Sequence, residues 1–335
     1  MATEDYVHTL LSQTERTQYM LDLMRVVKET GDHVLNIDRE KVFDTVEVAR
    51  HQFSTVDAEA NSRLRAILEM RMKMFPGTVL EESDIPRARL EPDRLKYPLL
   101  ICDAVEGSTN AKRGLVAYMR RPILAGTLAM VVEGEELSMI AASAFYDFSS
   151  RKVLSSVRTE AGCFLSFIDG QIIDQSFVLE TKGDSHVYAI VPGYSHANVG
   201  ARAAIESMLL TVGIESAGGS RSSAQDLVSI FCNQADAYVD LRALFPGSTE
   251  IRDEVLHTWD VGGLLPVLDS VGFRITDITG QSWQRLRIWD RMAIIVSRPT
   301  LQSRIVDVLK GLSFVSSLFA PETNNVINFP TPNIG

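Results

Sequence analysis

The stretch that decides the fold reads Leu99-Leu100-Ile101-Cys102-Asp103-Ala104-Val105-Glu106-Gly107-Ser108-Thr109-Asn110. Its leading apolar residues predict the end of a buried strand, and its polar half is typical of a turn that opens a helix. Asp103 and Glu106 stand close enough in the chain for both carboxylates to bind one hard cation. The N–H groups near Gly107 and Ser108 suit an anion such as phosphate. An acidic surface turn is the alternative interpretation.

Two further motifs lie on either side of this stretch. They are Leu80-Glu81-Glu82-Ser83 and Trp259-Asp260-Val261-Gly262-Gly263-Leu264. Together with residues 54–57 and 218–240, the motifs resemble the inositol monophosphatase family, which carries G-E-E-S, D-P-x-D-G-T-x-N and W-D-x-A-A-G in the same order. The resemblance covers roughly residues 50 to 300 of the sequence.

The composition is that of an ordinary globular chain. Its 335 residues exceed the usual size of a single core, and 45% of them are hydrophobic and 23% charged. The net charge of -10 and the lack of Lys/Arg runs argue against nucleic acid as a partner. A small phosphorylated substrate is compatible with that charge, because divalent cations invert the local sign of an acidic pocket.

Cysteine content and the N-terminus predict a cytoplasmic protein. Cys102, Cys163 and Cys232 are far apart and form no C-x-x-C pair, so neither a disulfide framework nor a zinc site is expected. The first residues are acidic where a signal peptide is basic. The most apolar run, residues 122–132, is shorter than the roughly 20 residues of a membrane helix. We therefore expect a buried strand there and no membrane partner.

Hydrophobic spacing predicts alternating helices and strands in two halves. Helices are expected near residues 5–28, from 54–57 to before Pro76, and at 201–210, 223–232, 260–271 and 301–309. Strands are expected at 99–102, 123–132, 139–145, 152–156, 162–164 and 187–191. The predicted domains are residues 1–182 and 183–320, and residues 321–335 are predicted to be a flexible tail.

The resemblance implies both a fold and a metal site. The fold would be α+β, a layered αβαβα sandwich of the inositol monophosphatase and fructose-1,6-bisphosphatase type. The ligands of two or three Mg²⁺ ions would be Glu81, Asp103, the Val105 carbonyl, Glu106 and Asp260, with Asp103 bridging. Oxygen ligands suit Mg²⁺ better than a softer metal. Most ligands would then lie in the first domain, and Asp260 would lie beside the substrate wall of the second.

The family mechanism is hydrolysis by a metal-activated water. Asp57 and Ser108 would orient and deprotonate that water, with Glu81 as a further catalytic residue. The N–H groups of Gly107 and Ser108 would hold the phosphate in line for attack. The resemblance implies direct release of phosphate, without a phosphoenzyme. For Asp57, a plain helix N-cap is the alternative interpretation.

Several positions depart from the family pattern. Arg221 stands at the usual Gly of a G-S/T-A-A-like run, and Asp240 replaces the usual Glu of D-A-Y-x-E. Ala104 replaces Pro, and Glu106 replaces Asp, which moves its carboxylate by about 1.5 Å relative to the backbone. A forked cation at Arg221 suits a second phosphate or carboxylate, whereas a flexible loop with a serine N-cap is the alternative. The substrate-binding residues implied are Gly107, Ser108, Arg221, Ser222, Ser223 and Asp240.

The expected function is hydrolysis of a small phosphorylated polyol, most simply an inositol monophosphate. One alternative is a sugar bisphosphate or 3'-phosphoadenosine 5'-phosphate, which Arg221 favours. Another is a family member that binds metal or ligand without turnover, which Glu106 favours. Lithium sensitivity and a homodimer are implied by the resemblance alone.

The segment between Asp240 and Asp260 is longer than in the family pattern. Residues 241–254 contain a Pro-Gly turn and mixed charge, which predict an exposed excursion. Because both ends adjoin proposed site residues, the excursion is expected to form part of the substrate wall, with Arg242 or Arg252 available to an anionic group. A tolerated surface insertion is the alternative.

Overall fold

The first part of the chain forms two helices on either side of a hairpin. The computed structural model describes residues 14–38, 42, 45–48, 51–73, 75–116, 122–173, 186–192, 199–245 and 256–312. Helix α1 (Glu15–Val34) begins after Thr14, whose hydroxyl accepts the Thr17 N–H. Strands β1 (Thr45–Val48) and β2 (His51–Ser54) pair antiparallel, and helix α2 (Thr55–Arg71) follows directly. The helix predicted after residues 54–57 is confirmed.

The larger sheet contains seven strands in sequence order. They are β3 (Thr78–Glu81), β4 (Leu99–Glu106), β5 (Gly126–Val132), β6 (Ile140–Asp147), β7 (Lys152–Arg158), β8 (Phe164–Ile168) and β9 (Gln171–Ile172). β3 and β4 are parallel, and the other neighbours are antiparallel. Helices α3 (Ile85–Leu90) and α4 (Ser108–Val116) follow β3 and β4. All residues of β5 and β6 are buried, which shows that both faces are covered there.

The smaller sheet contains five strands in the order β11-β10-β12-β16-β14. The strands of this half are β10 (Val187–Val191), β11 (Ile214–Gly218), β12 (Ala237–Asp240), β13 (Leu256–His257), β14 (Arg274–Thr276), β15 (Arg291–Met292) and β16 (Ile294–Ser297). β13 and β15 form a separate pair. The helices are α5 (Val199–Thr211), α6 (Ser223–Phe231), α7 (Thr258–Val261), α8 (Leu265–Ser270) and α9 (Pro299–Leu309).

Apolar clusters show how these elements stack. Leu23 of α1 and Leu64 of α2 pack on one face of the larger sheet. Leu128 on the other face joins a cluster with α6, α7, α8 and Val296 of the smaller sheet. Ile295 on the opposite face of the smaller sheet packs with α5 and α9. The succession of helix, sheet, helix, sheet and helix layers is the predicted αβαβα sandwich.

The helix predicted over residues 260–271 is divided into α7 and α8. A Cβ on Gly262 would lie 2.6 Å from the Met130 sulfur, and one on Gly263 would lie 2.7 Å from Leu128 Cγ. The two glycines therefore let the chain approach β5 closely as the helix is interrupted. This close approach places α7, which carries Asp260, against the larger sheet.

The segment that follows Asp240 differs from the prediction. Leu241, Arg242 and Phe245 are buried, and residues 242–244 form a 3₁₀ turn. The prediction of an exposed excursion is therefore wrong for residues 241–245, because these side chains pack inward. Residues 246–255, including Arg252, lie outside the described residues.

Other predictions lie partly or wholly beyond what the structure describes. The helix predicted near residues 5–28 corresponds to α1, which continues to Val34, but residues 1–13 are not described. The tail at 321–335 also lies outside the described residues. The division into domains at residue 182 stays a prediction. Within the described ranges, no helix is long and apolar enough to cross a membrane.

Candidate active site

The central motif lies where β4 ends and α4 begins. The strand continues past Cys102 to Glu106, and its pairing with β5 is irregular between Asp103 and Glu106. The Asp103 carboxylate accepts the Val105 N–H at 2.9 Å, which curls the chain locally. Gly107 then adopts a φ of +84°, a conformation that favours glycine, and its missing Cβ leaves room for Ser222. The irregular strand end thus presents acidic side chains beside a helix start.

Asp103 is a buried carboxylate and Asp260 a partly buried one, and both have unfavourable surroundings. Burial raises the pKa of Asp103 well above its ordinary value, and the charges of Glu82, Glu106 and Asp260 raise it further. Burial likewise raises the pKa of Asp260, together with Glu106 and Glu82, against a hydrogen bond from the His257 N–H. Closely placed carboxylates of this kind favour protonation or a bound cation. We call Glu82, Asp103 and Asp260 the acidic side of the site.

Glu81 is placed differently from its neighbour Glu82. Glu81 is the last residue of β3 and is 5% exposed, and its Oε2 accepts the Nε of Arg65 at 2.8 Å. Its Oε1 is buried and has no hydrogen-bond partner among the described residues. Glu82, which was not predicted as a site residue, acts electrostatically on both Asp103 and Asp260. Glu82 is therefore the member of the pair that acts on the acidic carboxylates, whereas Glu81 is paired in register with Cys102 of β4.

Glu106 contacts the N-terminus of α6. Its Oε1 accepts the Ser222 hydroxyl at 3.1 Å, and its carboxylate also accepts the backbone N–H groups of Ser223 and Ala224. Burial raises the pKa of Glu106, whereas these donors and Arg242 lower it. Ser222 is also the N-cap of α6, because its side chain accepts the Gln225 N–H at 3.3 Å. Glu106 thereby joins the motif of the first half to the loop of the second.

Asp240 is fully buried and is bound by Arg242. The Arg242 Nε lies 2.9 Å from Asp240 Oδ1, and its Nη2 lies 2.5 Å from Oδ2. The Tyr238 hydroxyl donates to Asp240 Oδ2 at 2.8 Å, and Arg242 Nη2 also reaches the Ser223 hydroxyl at 3.3 Å. The hypothesis that an exposed Arg242 serves an anionic group is therefore wrong as stated. We call Ser222, Ser223, Asp240 and Arg242 the loop side of the site.

The remaining predicted residues are more exposed. Arg221 is exposed and has a φ of +69°, in the left-handed region that favours glycine. Asp57 lies in the first turn of α2, with its Oδ2 4.0 Å from the Lys112 Nζ. Ser108 begins α4 and is partly buried. The predicted contact between Asp57 and Ser108 stays a prediction.

The donor set consists of carboxylates, which suit the divalent cation that the family pattern implies. No group of three His, Cys, Asp or Glu side chains in the described ranges is already arranged to hold a metal ion, since Glu81 and Glu106 are turned toward other donors. The chemistry nevertheless fits, because Glu81 has a buried oxygen without a partner and Asp103 and Asp260 have raised pKa values. A hard cation is the kind of partner that such carboxylate oxygens take.

Two residues at the candidate site, Glu82 and Arg65, were not identified from the sequence. Glu82 had a signal, because it forms a doublet with Glu81. Arg65 had none, because its partner Glu81 is distant in the chain and only the packing of α2 against β4 brings the two together. Arg242 was predicted to serve an anionic group, but its bond to Asp240 was not predicted.

Comparison with known proteins identifies the fold. No family model matches the sequence, and no curated protein matches it either. The inositol monophosphatase of Anabaena (Nostoc) superposes with a TM-score of 0.60 at 15% identity, over 91% of this chain and 100% of that chain. The extragenic suppressor protein SuhB of Bartonella henselae gives 0.59 at 14% identity, over 87% and 98%. Staphylococcal IMPase-II gives 0.56 at 14% identity, over 88% and 92%.

These similarities extend over nearly the whole of each solved chain, and they agree with the layer order described above. The resemblance inferred from the ordered motifs is confirmed at the level of architecture. The chain has the fold of the inositol monophosphatase family.

Proposed function

We propose that this protein is a Mg²⁺-dependent phosphomonoesterase that acts on a small phosphorylated polyol, such as an inositol monophosphate. The observation that carries the proposal is the pair of carboxylates formed by the buried Asp103 and the partly buried Asp260, whose raised pKa values call for a cation. The fold supports it, and one structure of SaIMPase-II contains inositol monophosphate while another contains 2'AMP. Both ligands are small phosphate esters.

The residues that would hold Mg²⁺ are Glu81, Asp103, the Val105 carbonyl, Glu106 and Asp260. When bound, Mg²⁺ would supply positive charge that activates water and stabilises the leaving alkoxide. Glu82 adds negative charge to the same place. Glu106 would have to share its carboxylate between the cation and the donors of α6, or exchange one for the other.

The chain's own groups would orient the reactants. The N–H groups of Gly107 and Ser108 lie where α4 begins, so they would bind the phosphate oxygens. The Ser108 hydroxyl and the Asp57 carboxylate would orient the attacking water and accept its proton. On the loop side, the Ser223 hydroxyl would contact the rest of the substrate. Asp240 would act indirectly, because Arg242 and Tyr238 occupy its oxygens.

A second candidate function is binding of a ligand without turnover. It is favoured by the cationic side chains that already face proposed catalytic acids: Arg65 at Glu81 and Lys112 at Asp57. These contacts could replace metal ions as the source of positive charge. Such a protein would bind phosphate esters without hydrolysing them.

Phosphate release from a panel of esters separates the two functions. The panel contains inositol 1-phosphate, fructose 1,6-bisphosphate, 3'-phosphoadenosine 5'-phosphate and 2'-AMP, each assayed with Mg²⁺ and with EDTA. We expect Mg²⁺-dependent release, with an inositol phosphate preferred. Calorimetric binding of an ester without release in any metal would instead support the second function. Release that is undiminished in EDTA would contradict the proposed metal site.

A further inference from the structure

The two oxygens of Glu81 have different partners. Oε2 accepts the Arg65 Nε at 2.8 Å and the Nη2 of the same guanidinium, and Ser83 Oγ lies 3.4 Å away. Oε1 is buried without a hydrogen-bond partner in the described part of the chain. The side chain of Glu81 is 6% exposed, so this oxygen is largely withdrawn from water. Oε1 is therefore the atom that a cation can take without displacing a donor.

Arg65 is held at Glu81 by several contacts. Its Nη2 lies 3.5 Å from Asp84 Oδ2, and that same oxygen accepts the Glu81 backbone N–H at 3.2 Å. The hydrogen bond to Glu81 raises the pKa of Arg65. The adjacent residue Leu64 is fully buried, which anchors this part of α2. The Arg65 side chain is 56% exposed, so its guanidinium binds Oε2 from the solvent side.

We infer that Arg65 is a positioning residue that limits Glu81 to coordination through one oxygen and so favours Mg²⁺ over Ca²⁺. The inference rests on the proposed function, in which Glu81 is a metal ligand. Mg²⁺ requires near-octahedral geometry and short bonds, which single carboxylate oxygens provide. Ca²⁺ takes more ligands and often binds both oxygens of a carboxylate. While Arg65 occupies Oε2, Glu81 cannot bind a cation through both of its carboxylate oxygens.

This selectivity differs from a simple charge effect. Removing any positive charge near the site would strengthen the binding of Mg²⁺ and Ca²⁺ alike. Removing the guanidinium from Oε2 should favour Ca²⁺ specifically, because it frees the second oxygen. Arg63 provides the matched control, since it is an exposed arginine on the same helix.

The experiment measures binding of MgCl₂ or CaCl₂ alone to the full chain by calorimetry. For Arg65→Met, we expect the Kd for Ca²⁺ to fall by roughly tenfold and that for Mg²⁺ by less than about threefold, because only Ca²⁺ gains from the freed second carboxylate oxygen. Arg65→Lys keeps the charge but loses the fork, so its Ca²⁺ affinity should be intermediate. Arg63→Met should leave the ratio of the two Kd values unchanged. Adding Glu81→Gln to Arg65→Met should remove the gain in Ca²⁺ affinity.

The outcomes distinguish this inference from the proposed function. Equal changes for both metals in Arg65→Met, or the same changes in Arg63→Met, would overturn the selectivity role and leave the phosphatase proposal intact. A parent chain that binds neither metal and releases no phosphate would overturn both. Circular dichroism of each variant checks that α2 is retained.

Discussion

The acidic side and the loop side of the candidate site both contain carboxylates, but only the loop side also contains a buried cationic side chain. On the acidic side, the buried Asp103 and the partly buried Asp260 lie near other carboxylates that raise their pKa values. On the loop side, the buried Asp240 is neutralised by Arg242 and also receives the Tyr238 hydroxyl. The first arrangement lacks positive charge and the second has it in place. An added cation would therefore bind to the acidic side, while the loop side is already satisfied.

The difference also separates function from stability. Uncompensated buried carboxylates cost folding free energy, so their presence indicates a binding or catalytic purpose. The Asp240–Arg242 pair instead joins the end of β12 to the start of α6 through Ser223. Glu106 contacts both sides, since it repels Asp103 and Asp260 while accepting donors from α6.

The largest expected effect is on the acidic side. Asp103→Asn and Asp260→Asn should each reduce Mg²⁺-dependent phosphate release by at least about 10³-fold, because losing a ligand removes several kcal/mol of transition-state stabilisation. Each should also raise the midpoint of thermal unfolding of the metal-free protein, since a neutral amide relieves the repulsion. Asp307→Asn on the exposed face of α9 is the control and should change neither property. Full activity in either acidic-side variant would contradict the comparison.

On the loop side, breaking the buried ion pair should affect folding more than metal binding. Arg242→Met leaves the Asp240 carboxylate buried without its cation, so we expect a loss of about 3–5 kcal/mol in the free energy of unfolding. The double variant Asp240→Leu/Arg242→Met should recover most of this loss, because no charge is then left uncompensated. Urea denaturation measures both. A single-variant loss below about 1 kcal/mol would place Asp240 in contact with water and contradict its structural role.

The fold could be predicted because its signals are local. Strand β10 has the predicted bounds, and α2, α5, α6 and α9 begin and end within a few residues of theirs. The break between α7 and α8 could not be predicted from periodicity, because it depends on how closely Gly262 approaches Met130 of β5. The prediction that residues 241–245 are exposed was wrong because it rested on their charge. Arg242 is buried, and only tertiary structure shows that Asp240 binds it.

The site could be predicted only in part, because motifs identify residue types but not their partners. The ordered acidic motifs indicated Asp103, Glu106 and Asp260, and the structure places all three in one electrostatic group. It does not follow from a motif that Glu81 is bound by Arg65 or that Asp240 is bound by Arg242. These ion pairs depend on tertiary packing or on the shape of a turn. Such partners decide whether a carboxylate is available.

Asp226, which interacts electrostatically with Asp240 and Arg242 of the loop side, should make the stability of the protein depend on pH. This buried residue of α6 accepts the Ser220 N–H, and its pKa is raised to about 6, mainly by burial and further by Asp240, against Ser220 and Arg242. Between pH about 4 and about 6, the folded state holds more protons than the unfolded state. The free energy of unfolding should therefore fall as pH rises through this window, by about 3 kcal/mol from this group, and stay lower above it.

The measurement for Asp226 is a comparison of the parent with Asp226→Asn. The amide oxygen can still accept the Ser220 N–H, whereas the charge is absent at every pH. The difference in free energy of unfolding between the two proteins should change across pH 4–6 and be constant above about pH 7. A difference that is constant throughout would show that Asp226 does not titrate in this window.

The variant Glu106→Asp tests whether Glu106 acts mainly as a metal ligand or mainly as a partner of the α6 donors. The shorter side chain draws the carboxylate back by about 1.5 Å and should lose donors of α6, at a cost of about 1–2 kcal/mol in stability. If the carboxylate is chiefly a metal ligand, Mg²⁺ affinity should also change. It should rise if the shorter Asp side chain, which the family pattern has here, binds Mg²⁺ better than Glu. Glu106→Gln keeps the length and is the control for reach. If calorimetry shows no change in Mg²⁺ affinity and urea denaturation shows no change in stability, Glu106 is neither a metal ligand nor a stabilising partner of α6.

The smallest expected effect concerns Arg221, at the start of the loop side. Its φ of +69° costs a non-glycine residue roughly 1–2 kcal/mol, so Arg221→Gly relieves strain while adding flexibility to the unfolded chain, with a net gain of up to about 1 kcal/mol. Arg221→Ala keeps the strain and removes the side chain beyond Cβ, including the guanidinium. If Arg221 binds a second anionic group, both variants should raise the KM for a bisphosphate relative to a monophosphate, although only the glycine variant is stabilised. Unchanged KM ratios in both variants would leave Arg221 with a conformational cost and no role in substrate choice.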